Sequence, residues 1–548
     1  MIMWGLETVE LAVVVVYLIG ITVLGVWFGR RLKGNEDFFM PRRFGKGMMM
    51  MHAFGTGTAS DQAVVVSSGA FSKGLSGIWF QWLWLFNTPF YWLIAPIFRR
   101  LRAVTTADVY RLRFGPSVAV LFALVGIVGL AVKIGLMLKG AGALIDAGTD
   151  GKVNADIAIP IVALMFTIYG CAGGLGAAIL TDYIQGILTV VFSFLLLPFV
   201  LNAVGGLVGV RETIDNPQLL SLVAPDKINA FFIATFAVLS LVGIVAQPFI
   251  MGVCAAGRTE MDGRFGFVVG NLIKRICTAA WAVTGIAALA WFNQQGREIG
   301  GDTADRIYGM MAHTFLPGVM PGLLGLFIAS LLAGVMSSCD SFMISAAGLF
   351  TQNLYKPHVG KCSERHLLWV GRCCSLIIVV AGVLVAYWMP NVESGLKVWL
   401  KIAPMLGVGF WMGLFWRRFN AAGAWASTIV GFIGWWLTSK TEWSEPMQIV
   451  VYLSAAVLAG VIGSLLTKRT DKEKIERFHE LIRTPVLAGE VVTESCRLPE
   501  GVRASKRKTW FAGTDFEFPS PSRTSWLGFT AGWIAVAAMI GGFVWLIS

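Results

Sequence analysis

Long apolar runs recur from Leu6 to the end of this 548-residue chain, and they leave little choice of solvent. Fourteen segments stand out, near 6–29, 47–71, 77–98, 116–143, 157–173, 181–204, 229–253, 265–292, 317–352, 366–388, 395–416, 421–439, 447–467 and 526–547. Most approach or exceed the length of about twenty residues that a helix needs to cross a bilayer. A water-soluble core could not hide them: 56% of the residues are hydrophobic and only 14% charged, against about a quarter charged in soluble domains. The pattern predicts an all-α polytopic membrane protein of about fourteen transmembrane helices. The first run, Leu6 to Phe28, is too long for the apolar part of a signal peptide and is expected to be retained.

The net charge of +12 would suggest nucleic acid in a soluble protein. Here the basic residues sit between apolar spans, so they read as an orientation signal, and no nucleic-acid partner is expected. With the N-terminus outside, inner loops hold 30 Lys and Arg and outer loops seven. Leaving out the long segment 468–525 still gives 18 against seven. Both termini are therefore predicted outside, in a plasma membrane of the bacterial cytoplasmic kind.

None of the eight cysteines falls in a loop placed outside, so no structural disulfide is expected, and no CxxC pair or His/Cys cluster suggests a metal site. Cys373 and Cys374 are read as small apolar packing residues. Segment 468–525 is the one sizeable polar stretch. Asp471–Arg483 carries Ile475, Phe478, Leu481 and Ile482 at helical spacing, as a helix lying on the inner membrane face would. The cluster Arg503, Lys506, Arg507 and Lys508 suits anionic lipid. A solvated linker is the alternative for the whole segment.

Polar residues inside spans need a reason, because lipid cannot satisfy freed backbone groups. The second span reads His52-Ala-Phe-Gly-Thr-Gly-Thr-Ala-Ser-Asp61-Gln62. Two glycines, three hydroxyls and a carboxylate in mid-span suggest a local unwinding. Freed carbonyls and hydroxyls are the oxygen ligands that a desolvated Na⁺ prefers. A small-residue packing face is the competing reading, but it does not explain Asp61. In the ninth span, Gly334 precedes Ser337, Ser338, Asp340 and Ser341. Ser337 and Ser341 share a helix face, with Asp340 close to it. An intramembrane carboxylate beside three hydroxyls reads as a cation or proton site.

Other polar positions carry several readings each. Asp182 opens the sixth span, where capping that helix would suffice. Gln81 and Asn87 lie in the aromatic third span. Lys139 suits snorkelling to the outer surface. Lys133 lies deeper, where facing a substrate carboxylate, snorkelling, or pairing with Asp61 or Asp340 are the readings. Lys397 and Lys401 lie one turn apart, the latter before Pro404, which is expected to kink the helix.

These residues resemble the sodium/solute symporter family, which includes sodium–glucose, sodium–proline and sodium–sialic acid carriers. The likeness covers roughly residues 1–470. It rests on the order of Val104-Thr-Thr-Ala-Asp-Val-Tyr with Arg113-Phe-Gly115, then Ile168-Tyr-Gly-Cys-Ala-Gly-Gly-Leu175, Thr181-Asp-Tyr-Ile-Gln185, Ala255-Ala256, Gly334 with Ser337-Ser338, and Phe415-Trp-Arg-Arg-Phe-Asn420. The resemblance implies a LeuT-type fold of two inverted five-helix repeats, at 47–204 and 229–416. A leading helix and inner loop would occupy 1–46, two accessory helices 417–467, a cytoplasmic basic loop 468–525, and a last helix 526–548. It implies a Na⁺ site at Ala59, Gln62, Gly334, Ser337 and Ser338, and a possible second ion site at Asp182, Ser337, Asp340 and Ser341. Asp340 stands where a serine is more usual, so that position is expected to bind Na⁺ more strongly or to introduce a proton.

Substrate or gating candidates are Asp61, Val66, Gln81, Asn87, Lys133, Gln247 and Lys401. Ala246-Gln247-Pro248 resembles proline-type members. Ser240, Ile244, Met251-Gly252 and Val66 depart from the proline-type and sugar-type patterns. The implied activity is Na⁺-coupled symport of a small organic solute (sugar, amino acid or carboxylate) into the cell. The expected partners are that solute and the bilayer, with no organic cofactor and no obligatory protein partner. A proton-coupled carrier on the same fold and a non-transporting sensor are the alternatives. An intramembrane aspartyl protease using Asp182 and Asp340 lacks the Gly-x-Gly-Asp element, so no enzymatic activity is expected.

Overall fold

A computed structural model describes the chain except residues 1, 4, 32–37, 225, 298–300, 361, 488, 493, 506–508 and 512. The side chains of 2–3, 31, 169, 171–173 and 301–302 are also not described. Three of the four residues expected to meet anionic lipid, Lys506, Arg507 and Lys508, thus lie outside the described residues, as do Lys33, Lys361 and the side chain of Cys171.

Among the described residues the chain is mostly helical, with two short two-stranded hairpins. Nine described helices are each long and apolar enough to cross a membrane. Their outward faces carry the apolar surface that lipid covers, as at Val16, Ile377 and Leu466. The loops gather at two ends. At the basic end Phe44 pairs with Gly257, Arg99 donates to the Gly257 carbonyl, and Arg113 donates to the Trp416 and Phe419 carbonyls. At the opposite end Lys73 meets Glu393 at 2.6 Å, and His313 contacts the Gly148 carbonyl. Both chain termini lie at that opposite end, Gly5 against Thr149 and Leu546 against Arg211.

Two helices are broken in mid-course. Lys46–Gly55 stops at Thr56, and Ser60–Lys73 resumes after Ala59. Gly57, at φ +82°, makes the turn that other residues rarely adopt. The unwinding expected from this stretch is present. A second break separates Ala230–Ile244 from Ile250–Ala255. There the expected continuous span 229–253 is interrupted, because Pro248 has no amide proton to continue the ladder. These are the first and second broken helices below.

The third span also departs from a regular helix. Short turns at Leu75–Ile78, Trp79–Trp82 and Leu83–Leu85 precede the helix Thr88–Arg100. Gly77 packs so tightly on Gly69 and Ala70 that a Cβ would lie 2.3 Å from backbone. Pro89 then restarts the helix in its first turn.

Within the segment 468–525, the amphipathic stretch expected on the membrane face packs on protein instead. Its helix Lys472–Arg483 buries Ile475, Phe478, His479, Leu481 and Ile482. The stripe covers protein: Arg113 lies over the Phe478 ring, and Arg100 donates to the Ile482 carbonyl. Arg102 pairs with Glu490 at 2.6 Å, and Arg483 with Glu517 at 2.6 Å. The Glu517 amide donates to the Phe415 carbonyl at 2.9 Å. An apolar stripe is satisfied by either surface, and the buried arginines at the ends of the spans supply the polar partners that lipid would not.

Candidate functional site

The site is built where the first broken helix crosses the helix Leu323–Gly348, the serine helix. Every residue of the latter from Gly334 to Ser341 is buried. Gly334 lets the two backbones approach, since a Cβ there would stand 3.1 Å from the Thr58 carbonyl. Ser338 spans the break: its hydroxyl donates to the Gly55 carbonyl at 2.8 Å and accepts from the Gly57 amide at 3.0 Å. The side-chain amide of Gln62 donates to the Gly57 carbonyl. The Ala59 carbonyl begins the second half-helix by accepting from Gln62 and Ala63. Oxygen atoms of both helices thus converge on a stretch where helical hydrogen bonding has lapsed.

Asp182 is not a cap. Its helical segment begins at Gly174, whose φ of +60° turns the chain, so Asp182 stands deep inside it. Its carboxylate is fully buried and engaged on both oxygens. Ser337 donates to Oδ1 at 2.5 Å, and His52 Nδ1 lies 2.6 Å from Oδ2. Thr56 Oγ1 lies 3.3 Å from His52 Nδ1 and donates to Ser341 Oγ at 3.3 Å. Ser341, Thr56, His52, Asp182 and Ser337 therefore form one buried polar chain. Asp340, the fourth member of the expected second ion site, is fully buried and packs on Gly170, where a Cβ would stand 2.5 Å from its Oδ1. His52 was quoted in the sequence but given no role. The signal was an ionisable ring one turn before the glycines, at a depth where polar groups are costly.

A pocket opens beside the first break. Gln81, Lys133 and Gln247 of the expected substrate residues line it, as does Gln62. Lys133 does not extend free into it: its ammonium meets Asp61 at 2.5 Å and lies 4.4 Å from the centre of the Trp399 ring. Asp61 is thus the buried counter-ion behind the lining. The remaining candidates lie elsewhere. Val66 is buried in packing, and Asn87 bonds Ser240. Lys401 is turned to Glu445 at 3.2 Å, within an ion-pair group that includes Lys397 and Glu393. An acid on a neighbouring helix offers Lys401 a better partner than an apolar midplane would.

Sequence reading missed Lys274 and Arg275, both on the helix Glu260–Gln294 and both lining this cavity. Lys274 donates to the Thr56 carbonyl at 3.0 Å, at the negative end of the first half-helix. Arg275 donates to the Gln81 carbonyl, and the Trp82 indole donates to the Arg275 carbonyl at 3.0 Å. Their signal was two adjacent cations in mid-span with no acid within a turn.

The model of the sodium:solute symporter family matches residues 38–431. The osmoregulated proline transporter OpuE of Bacillus subtilis is 25% identical over 489 residues, covering 84% of this chain and 96% of that protein. The sodium/pantothenate symporter of Haemophilus influenzae is 23% identical over 465 residues, covering 80% and 92%. A Na⁺-coupled sialic acid symporter, solved in a substrate-bound outward-open state, superposes with a TM-score of 0.73 at 19% identity over 85% of this chain and 99% of that one. A nucleobase-cation-symport-1 family transporter in a closed conformation gives 0.53 at 13% identity over 82% and 99%. The LeuT-type fold is common to these structures, and the relatives are carriers, not enzymes. The chain belongs to the sodium:solute symporter family and is a multi-pass membrane transporter that couples the movement of a small organic solute to Na⁺.

Proposed function

We propose that the driving Na⁺ binds between the first broken helix and the serine helix. Its ligands are the carbonyls of Ala59, Gln62 and Gly334 and the hydroxyls of Ser337 and Ser338. The observation that carries this reading is the pair of hydrogen bonds that the Ser338 hydroxyl makes across the break, donating to the Gly55 carbonyl and accepting from the Gly57 amide. A hard cation taking oxygen ligands there ties two helices together. Binding of that kind favours one arrangement of the bundle over another, which is what coupling requires. Two repeats, 47–204 and 229–416, then rock about the midplane, each with its own broken helix. The basic end faces the cytoplasm of a bacterial cell and both termini face outside, which the bias of Lys and Arg supports. Solute enters the cell with the ion.

Ser338→Ala and Ser337→Ala are expected to raise the Na⁺ concentration for half-maximal uptake by tenfold or more. An unchanged Na⁺ dependence in both would reject the assignment.

A second ion position at Asp182, Ser337, Asp340 and Ser341 has a specific observation favouring a proton over a second Na⁺. His52 already engages Asp182, and an imidazole–carboxylate pair is chemistry for a proton. Uptake into vesicles under separately imposed Na⁺ and pH gradients tests this. A pH gradient that adds nothing to Na⁺-driven uptake rejects it.

A further inference from the structure

The cavity beside the first break has an unbalanced charge. Three cations line it, Lys133, Lys274 and Arg275, and no carboxylate does among the described residues. Asp61 forms its ion pair with Lys133. Lys274 and Arg275, 6% and 2% exposed, have backbone carbonyls and the Gln81 side chain as their hydrogen-bond partners, and neither forms an ion pair among the described residues. Arg275 Nε has no hydrogen-bond partner. Two buried charges at membrane depth call for a counter-charge, because low dielectric makes them costly when alone. The carbonyl at the end of the first half-helix offsets Lys274 in part, and the hydrogen-bond partners of Arg275 are the neutral carbonyl and side-chain amide of Gln81.

The rest of the lining describes the remainder of the ligand. Gln62 Oε1 and Gln81 Nε2 are buried without partners, and Gln247 and Asn271 add two further amides. Amides of this kind pair with hydroxyls, accepting from one and donating to the next. Trp84, Tyr91 and Trp399 supply flat apolar faces.

We propose that the solute carried by this protein is a hydroxylated carboxylate. Arg275 and Lys274 take its carboxylate, and the amides of Gln62 and Gln81 take its hydroxyls. The assignment rests on reading this cavity as the solute site. It also gives the solute a charge opposite to that of its co-transported cation, so the two reduce each other's cost at the midplane.

The test is thermal stabilisation of the purified full chain in saturating NaCl by matched probes. Glucuronate, galacturonate and gluconate are set against glucose, galactose and sorbitol. At least one acid is expected to stabilise the protein at concentrations tenfold below those of its neutral counterpart. Arg275→Gln is expected to erase that preference while the response to Na⁺ alone persists. Equal stabilisation by acid and neutral partners, silence of all three acids, or an undiminished preference in Arg275→Gln overturns the proposal. Val253→Phe, which fills the cavity from the second broken helix, separates the two levels. If an acid still stabilises that variant as before, the cavity is not the solute site. Loss of the Na⁺ response in the unsubstituted chain counts against the ion site instead.

Discussion

His52 Nδ1 lies 2.6 Å from Asp182 Oδ2, across 130 residues of chain, with the two side chains 1% and 0% exposed. The imidazole therefore stands where a cation would otherwise neutralise the carboxylate. Removing one member of a buried pair strands the other, at a cost of about 3–5 kcal/mol. His52→Ala is expected to lower the melting temperature in KCl, and NaCl at equal ionic strength is expected to restore part of the loss. Melting curves in the two salts check this; identical curves would show that Na⁺ cannot replace the ring.

Lys133 and Asp61 form the second buried pair, at 2.5 Å. Asp61→Asn and Lys133→Met should each destabilise the fold by roughly 3 kcal/mol. The double variant should lose less than the sum of the two, because neither charge is left alone. A double-mutant cycle of denaturant midpoints gives the coupling, and strict additivity would mean the pair contributes nothing.

Gly55 and Gly57 predict two different failures. At Gly57 a Cβ meets nothing nearer than 3.8 Å, so Gly57→Ala suffers only from its φ of +82°. About 1–2 kcal/mol of stability should be lost. At Gly55 a Cβ would stand 2.6 Å from Ser337 Oγ, so Gly55→Ala displaces a residue of the proposed ion site. Its Na⁺ affinity should fall more than that of Gly57→Ala. Uptake measured against Na⁺ concentration ranks the two, and the reverse order would count against the site.

His479 makes docking of the 468–525 segment sensitive to acid. Burial pulls its pKa down to about 4, against the weaker upward pull of Glu517 and the Ile475 carbonyl. Arg113 and Arg417 push in the same direction as burial. The undocked ring, near 6.5, binds a proton between these values, whereas the docked ring does not. Docking is therefore full above about pH 6.5 and weakens as pH falls toward 4, by on the order of 2–3 kcal/mol. Limited proteolysis of the segment should quicken across that window. His479→Leu should flatten the response, and a response unchanged in that variant would assign it to other groups.

Much of this architecture was legible because its cause is local. Glycine and hydroxyl groups beside Asp61 announce an unwound span, and Ser337 and Ser338 announce its partner. The corresponding break at Pro248 carried its signal in one residue, but the apolar run around it read as continuous. The positions that sequence reasoning missed, or placed at the substrate site when they lie elsewhere, depend on what stands opposite. Lys401 and Lys274 are both cations within spans. One turns to Glu445 and the other to the Thr56 carbonyl, and neither partner lies within a helical turn. His52 likewise acquires its meaning from Asp182. The stripe on Lys472–Arg483 was visible, whereas the surface it covers was not, since lipid and protein satisfy an apolar face equally.

The 468–525 segment has a mechanical consequence. It bonds to Arg100 and Arg102 at the end of one span and, through Glu517, to Phe415 and Arg417 at the end of another. Helix ends joined through one folded piece cannot separate independently. At the basic end these two spans behave as a fixed post, and the hinge of any opening there must fall on the helices the segment leaves untied.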